Sequence, residues 1–236
     1  MPVAIITGAS RGLGRALAAE LAGRGWSLVL DGRDAAALRA AAGQLERDGK
    51  EGAGGAVRAV PGDVTDPEHR AALLAAAEEL GGVDLLVNNA SALGAEPLVP
   101  LAELPLAGLR QALEVNVTAP LALIQAALPA LRAVSGAVLN VSSDAAVEAY
   151  GDWGGYGASK AALDQLSAVL AVEEPSVRVW AVDPGDLRTE LYAAAVPDDP
   201  DFDARPLPEE VAPVLLRLLE RGARSGRYSA PGLRGA

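Results

Sequence analysis

The chain has 236 residues, half of them hydrophobic, with 31 acidic against 20 basic side chains and a net charge of −11. That acidity repels nucleic acid and anionic membrane surfaces, whose partners carry a basic stripe instead. The absence of cysteine excludes disulfides and thiolate metal sites, and a single histidine makes a Ser-His-Asp hydrolase or a multi-histidine metal centre hard to build.

The N-terminal MPVAIITGAS lacks the charged start and apolar core of a signal peptide. No run approaches about 18 uninterrupted apolar residues, so no membrane span is expected and the protein reads as cytoplasmic. Short Val/Ile/Leu-rich runs then recur: Val3–Ile6, Leu28–Leu30, Val57–Val60, Asp84–Val87, Ala137–Val141 and Val177–Val182, with a weaker one at Arg227–Ser229. Each reads as a strand buried on both faces. Between them lie Ala/Leu-rich stretches of helical spacing. Leu13, Leu17 and Leu21 share a face in the first, as do Val211, Val214, Leu215, Leu218 and Leu219 in the last, which opens with Pro208-Glu209-Glu210. With one Phe, four Tyr and three Trp, the core must be Ala, Leu and Val, which suits helices packed closely on a parallel sheet. Strand–helix alternation with no composition break predicts one α/β domain over 1–236, a doubly wound Rossmann-like parallel sheet of about seven strands with helices on both faces. Within it, the Pro/Asp-rich stretch around 196–206 lacks periodicity; residues 190–208 are expected to form a surface loop or a substrate lid.

The first strand runs through Thr7-Gly8-Ala9-Ser10-Arg11-Gly12-Leu13-Gly14 into a helix. Gly8 permits the tight turn, Gly12 lets backbone approach a pyrophosphate, and Gly14 allows close helix–strand packing, while the helix N-terminus offers free N–H groups to phosphate. Farther on, Tyr156-Gly-Ala-Ser-Lys160 places a phenol and an ammonium on one helical face. An unperturbed Tyr titrates near 10 and a nearby cation draws it toward the working range. Ser142-Ser143 ends the fifth strand thirteen residues before Tyr156; such a pair is a substrate-orienting hydroxyl or a turn device. Asn116, in an apolar helix, either takes part in chemistry or satisfies itself on neighbouring backbone.

Thr-Gly-x-x-x-Gly-x-Gly, followed in order by these landmarks, resembles the single-domain branch of the short-chain dehydrogenase/reductase family, from Thr7 to Ser225-Gly226-Arg227-Tyr228. The resemblance implies an oxidoreductase that moves a hydride between a nicotinamide cofactor and a carbonyl or alcohol. In it Tyr156 is the proton donor, Lys160 binds ribose and lowers the phenol pKa, Ser143 (with Ser142 as fallback) orients the substrate oxygen, and Asn116 keeps a relay water. It assigns Gly8, Ser10, Arg11, Gly12, Leu13, Gly14, Arg33, Asp63, Val64, Asn89, Ala90, Tyr156, Lys160, Pro184, Gly185, Leu187 and Thr189 to the cofactor. The general dinucleotide rule would make Asp31 a sign of NAD. The family comparison instead puts Gly32 in the acid slot and Arg33 after it, and two guanidiniums, Arg11 and Arg33, converging on a 2′-phosphate favour NADP(H) over NAD(H). Ser91 stands where the family usually has Gly. His69 is expected to be exposed, Trp180 to be core, and Leu93, Val147, Tyr150, Trp153 and Tyr192 to wall an apolar, partly aromatic pocket for a small ketone or aldehyde; Asp186 faces the substrate. A 3-oxoacyl carrier-protein reductase and a noncatalytic NAD(P)-binding sensor or scaffold are the alternatives. The family also implies a homodimer or homotetramer, with Pro120–Leu131 suited to the packing.

Overall fold

In the computed structural model, which describes residues 1–48 and 55–235, the apolar runs become strands β1 (Val3–Ile6), β2 (Ser27–Gly32), β3 (Val57–Pro61), β4 (Leu85–Asn88), β5 (Ala137–Val141), β6 (Arg178–Asp183) and β7 (Gly226–Ser229). They form one seven-stranded sheet in the order β3-β2-β1-β4-β5-β6-β7, every neighbouring pair parallel. Strand ends lie close to those expected. The largest difference is β2, which runs on through Asp31 and Gly32 because these continue the ladder opposite Val60 and Pro61.

Strand alternation divides the core into two layers. Ala4, Ile6, Leu28, Leu30, Leu85, Val87, Leu139, Trp180 and Val182 meet the helices α1 (Gly12–Gly23), α2 (Ala35–Asp48) and α8 (Pro208–Glu220). Val3, Ile5, Val29, Leu86, Val138 and Val179 meet α3 (Pro67–Leu80) and α5 (Ala119–Val134) on the other face. Leu13, Leu17 and Leu21 are buried as their spacing requires, as is Trp180, whose indole N–H reaches the carbonyls of Ala223 and Arg224. The helix starts also follow the sequence: Asp66 accepts from the Glu68 N–H ahead of Pro67, and Glu210 accepts from the Leu207 N–H ahead of α8.

Two stretches differ from expectation. Residues Leu106–Val134 join α4 (Leu106–Leu113), a π-helical turn (Glu114–Thr118) and α5 into a continuous helical stretch, long and apolar enough by those criteria alone to cross a membrane. Counting uninterrupted apolar residues misses it because Arg110 and Glu114 interrupt the run. Its inward residues Leu123, Ile124, Ala127 and Leu131 are packed on the sheet. The 190–208 segment carries α7 (Glu190–Ala195) and a 3₁₀ turn (Phe202–Ala204). The aperiodic part is held around Tyr192. Its hydroxyl donates to Asp199 at 2.9 Å, its ring stacks on Phe202, and Arg205 lies 5.4 Å over the ring centroid.

The remaining helices are α6 (Gly154–Glu173) and α9 (Ala230–Arg234). The sheet order reverses between β1 and β4. Connections on the two sides of that point leave in opposite directions and open a crevice at the carboxyl ends of the strands.

Candidate active site

The crevice is a cavity of about 1290 Å³. Of the residues singled out from sequence, Gly8, Ser10, Arg11, Gly12, Leu13, Arg33, Asp63, Val64, Asn89, Ala90, Ser143, Tyr156, Lys160, Pro184, Gly185, Leu187 and Thr189 line it. Gly14 and Asn116 lie behind the wall.

At the glycine turn, Gly8 and Gly12 have φ of +64° and +54°, the left-handed region that favours glycine. A Cβ at Gly14 would stand 2.4 Å from the Gly8 carbonyl oxygen and 2.5 Å from Asn89 Nδ2. Thr7 Oγ1 accepts the N–H groups of Asn89 and Ala90, and the Asn89 amide donates to the carbonyls of Thr7 and Gly8. Asn89 therefore clamps the turn to the end of β4. A Cβ at Gly12 would find nothing closer than Thr189 Cγ2 at 3.6 Å, so backbone N–H groups lie open to a bulky anion. The Thr189 hydroxyl accepts from the Tyr192 N–H and caps α7.

The adenosine end corrects the sequence expectation for one residue. His69 is not exposed: it is 8% accessible, and its Nε2 lies 2.6 Å from Asp31 Oδ1. Asp31 is buried at the cavity wall, and its other oxygen takes the Gly8 N–H at 3.1 Å. Both oxygens are engaged in holding the glycine turn and α3 to β2. Arg11 and Arg33 both line the cavity, and Arg11 also pairs with Glu190 at the exposed surface. Arg33 is exposed and makes no ion pair among the described residues, leaving it as the available cation at that end. Asp63 accepts from the Thr65 N–H and hydroxyl, and the Thr65 N–H, with Arg33 nearby, holds its carboxyl below the usual carboxylate range despite partial burial.

At the opposite end the π turn rotates Asn116 inward; such insertions shift the face a helix presents. Its Oδ1 accepts from the Ala92 N–H at 2.9 Å and the Ser91 hydroxyl at 3.1 Å. Its Nδ2 donates to the Ala92 carbonyl and to Ser159 Oγ, both at 2.8 Å. The backbone it satisfies is thus that of the β4 loop, not of its own helix. Tyr156 and Lys160 sit on one face of α6, with the Lys160 Nζ 5.4 Å from the phenol ring centroid and 2.8 Å from the Val141 carbonyl oxygen. Ser143 lies at the end of β5; its hydroxyl donates to Asp144 Oδ1 at 3.0 Å and caps a short 3₁₀ turn by accepting the Ala145 N–H. Ser142 is buried with its Oγ unpartnered.

The electrostatics reverse the sequence expectation for the phenol. Burial pushes Tyr156 up to about 12, with the carboxylates Asp144 and Asp183 pushing the same way and hydroxyls of Ser91 and Ser143 pulling back. Burial likewise pushes Lys160 down to about 8, against the pull of Asp164. For each group desolvation is the largest influence.

Leu93, Tyr150, Trp153 and Tyr192 line the cavity as expected, with Trp153 meeting Tyr156 edge-on at 5.7 Å. Val147 does not: it is 62% exposed. Asp186 lines the cavity but pairs with Arg205 at 3.0 Å. Ser91, Asp144 and Asp183 are the polar residues that sequence reasoning undervalued. Each directly adjoins a recognised motif, and that adjacency was the available signal. Arg227 of β7 also acts here, bridging Asp164 and the Ser143 carbonyl at 2.9 Å each.

A family profile described as short chain dehydrogenase matches residues 2–200. Sepiapterin reductase of Rattus norvegicus is 37% identical over 218 residues, covering 86% of this chain and 81% of that protein. Among solved structures, an alcohol dehydrogenase from the archaeon Thermococcus sibiricus complexed with 5-hydroxy-NADP superposes with a TM-score of 0.86 at 29% identity, over 97% of this chain and 95% of that one. A short-chain dehydrogenase from Sphingobium yanoikuyae in complex with NADPH gives 0.84 at 30% identity, over 98% and 88%.

Proposed function

The chain belongs to the short-chain dehydrogenase family of oxidoreductases, and from that premise we propose that it is an NADP(H)-dependent carbonyl reductase or alcohol dehydrogenase. The observation that carries the reading is the joining of two half-sites in one cavity. The Gly8–Gly12 turn and Arg33 lie toward one end, and the Tyr156 phenol, Ser143 hydroxyl and Lys160 ammonium toward the other.

The residues present fit such a cofactor. The open backbone at Gly12 and the N-terminus of α1 suit a pyrophosphate. Arg33 suits a 2′-phosphate, while Asp31 is already engaged with the Gly8 N–H and His69. Relatives bound to NADPH and 5-hydroxy-NADP support this preference. Pro184, Gly185, Leu187 and Thr189 would seat the nicotinamide end. When bound, the cofactor supplies or receives the hydride.

The chain's own groups manage the proton. With burial holding it near 12, Tyr156 is a phenol at neutral pH and serves as the acid toward a carbonyl oxygen. Ser143 orients the same oxygen by turning its hydroxyl from Asp144. Lys160 holds ribose by exchanging the Val141 carbonyl for it. Asn116 keeps the β4 loop against α6 through Ala92 and Ser159. The 190–208 segment closes over the substrate, with Tyr192 carried on α7. Leu93, Trp153 and Tyr192 favour a small apolar or aromatic ketone or aldehyde. An acidic carrier protein is disfavoured, since Arg205 beside the cleft is consumed by Asp186 and Asp199. A homodimer or homotetramer joined through α5 and α6 would cover the exposed Val134, Val169 and Val172.

The test is NADPH and NADH oxidation over a panel of ketones, aldehydes and diketones, beside Tyr156→Phe. Turnover in the parent and a loss of about 10²–10⁴-fold in the variant, with NADPH binding kept, supports the reading. Cofactor binding without turnover on any compound would make the protein a sensor or scaffold instead.

A further inference from the structure

The scheme above gives no task to His69, the only histidine of the chain. Its Nε2 lies 2.6 Å from Asp31 Oδ1, with the two side chains 7% and 3% accessible. Asp31 in turn grips the glycine turn twice. Its Oδ2 accepts the Gly8 N–H at 3.1 Å, and its backbone carbonyl accepts the Ala9 N–H at 2.8 Å. Resting on the reading of the cavity as a dinucleotide site, we propose that His69 is a positioning residue for the cofactor: it holds the Asp31 carboxylate on the Gly8 N–H and so fixes the turn that receives the pyrophosphate.

A carboxylate at this depth is costly unless its oxygens are paired. Among the described residues, the side-chain oxygens of Asp31 hydrogen-bond only to the Gly8 N–H and to His69. An ionised carboxylate only accepts, so the proton in the short contact with the ring belongs to Nε2. The ring has one seat. A Cβ at Gly62 would stand 2.2 Å from His69 Nδ1 and 2.7 Å from Cγ and Cε1, so the imidazole lies against bare backbone just past β3. With the ring removed, Asp31 turns one oxygen toward the water of the cavity it lines, and its hold on Gly8 weakens. Gly8, at φ +64°, then keeps only the Asn89 amide on its carbonyl at 3.1 Å. The Gly12 backbone and the N-terminus of α1 follow directly from that turn, and their N–H groups are what a pyrophosphate meets. NADPH and NADH both carry a pyrophosphate, so His69 serves the two alike, whereas Arg33 is assigned to the 2′-phosphate alone.

His69→Ala and His69→Gln test the assignment in the full chain, with NADPH and NADH binding followed by fluorescence titration. His69→Ala is expected to weaken both cofactors about tenfold, since a hydrogen bond to a charged group is lost from behind the turn. At saturating NADPH its kcat stays within about twofold of the parent, because the loss is of binding alone. His69→Gln, whose amide nitrogen reaches the Nε2 position and donates from it, restores most of the affinity. A second readout needs no variant. With ¹⁵N-labelled histidine the parent gives one pair of ring resonances, which place the proton on Nε2 and move when ADP-ribose, the adenosine and pyrophosphate part of the cofactor, is added. Unchanged affinity in His69→Ala, a loss that His69→Gln does not mend, a fall in kcat with affinity kept, or ring resonances indifferent to ADP-ribose overturns the role of His69 alone. A parent that binds neither NADPH nor NADH overturns the proposed function, and this role with it.

Discussion

Lys160 is a buried cation that opposes folding, and replacing it by Met exposes that cost. It is 1% accessible, and burial lowers its pKa from 10.5 to about 8. At about 1.4 kcal/mol per unit, a depression of about 2.5 units means that burying the ammonium opposes folding by about 3 kcal/mol. A cation whose folded pKa is depressed binds fewer protons in the native state. The penalty is therefore full below pH 8, shrinks as pH rises, and is gone above about 10.5, where the unfolded chain is also uncharged. Methionine fills a similar length without charge, but it forfeits the Nζ bond to the Val141 carbonyl, worth about 1 kcal/mol. Lys160→Met is expected to gain about 2 kcal/mol at neutral pH, or about 4–8 °C in Tm for a domain of this size, while losing catalysis. Calorimetry of parent and variant at neutral pH and again above the free-lysine pKa checks it. An unchanged or lower Tm at neutrality would refute the reasoning. So would a gain that persists undiminished at the alkaline end, because it would then come from packing and not from the buried charge.

Gly14→Ala puts a Cβ 2.4 Å from the Gly8 carbonyl oxygen on a helix that cannot retreat, so it is expected to cost about 1–3 kcal/mol in denaturant unfolding and to weaken NADPH binding by fluorescence titration. Arg33→Ser removes the available cation at the adenosine end, and its expected effect is a tenfold or greater loss of NADPH affinity with NADH affinity unchanged, from about 1.5–3 kcal/mol of charge-assisted bonding. Equal losses for both cofactors would place the 2′-phosphate elsewhere. Asp31→Ala strips both the Gly8 N–H and His69 of their buried acceptor, so unfolding should move to lower denaturant by about 3 kcal/mol. A wild-type midpoint would show the pair to be dispensable.

The periodic and glycine-bearing parts of this molecule were legible because each depends on local chemistry. Runs such as Val3–Ile6 read as strands buried on both faces, and Gly8 and Gly14 stand where a Cβ would meet backbone or side-chain atoms at 3.0 Å or closer. Tyr156 and Lys160 four residues apart share a face wherever a helix forms. The rest depended on contacts between distant segments. His69 opens a helix in a polar context and reads as exposed; only the approach of α3 to the end of β2, across a Gly62 with no room for a Cβ, turns it inward onto Asp31. The ion pair of Arg11 with Glu190, far along the chain, is equally invisible in the local sequence. The phenol pKa is hidden from the sequence for a related reason. The i, i+4 cation is visible in the sequence, whereas the depth of burial and the carboxylates Asp144 and Asp183 around Tyr156 are not.

The height of the phenol pKa decides which direction of the proposed reaction needs a prior deprotonation. A phenol lowered into the neutral range would be partly ionised before any substrate arrived and would serve oxidation and reduction alike. Held near 12, Tyr156 keeps its proton at neutral pH, while Lys160, near 8, remains mostly charged. The protonated phenol and the charged amine together are the state needed to deliver a proton to a developing alkoxide. The reverse reaction has to begin by deprotonating a buried group flanked by carboxylates, against which the Ser91 and Ser143 hydroxyls pull. Burial and the acidic residues around the phenol thus predict that the rate of alcohol oxidation climbs with pH while that of carbonyl reduction does not, a contrast that initial rates in the two directions would show.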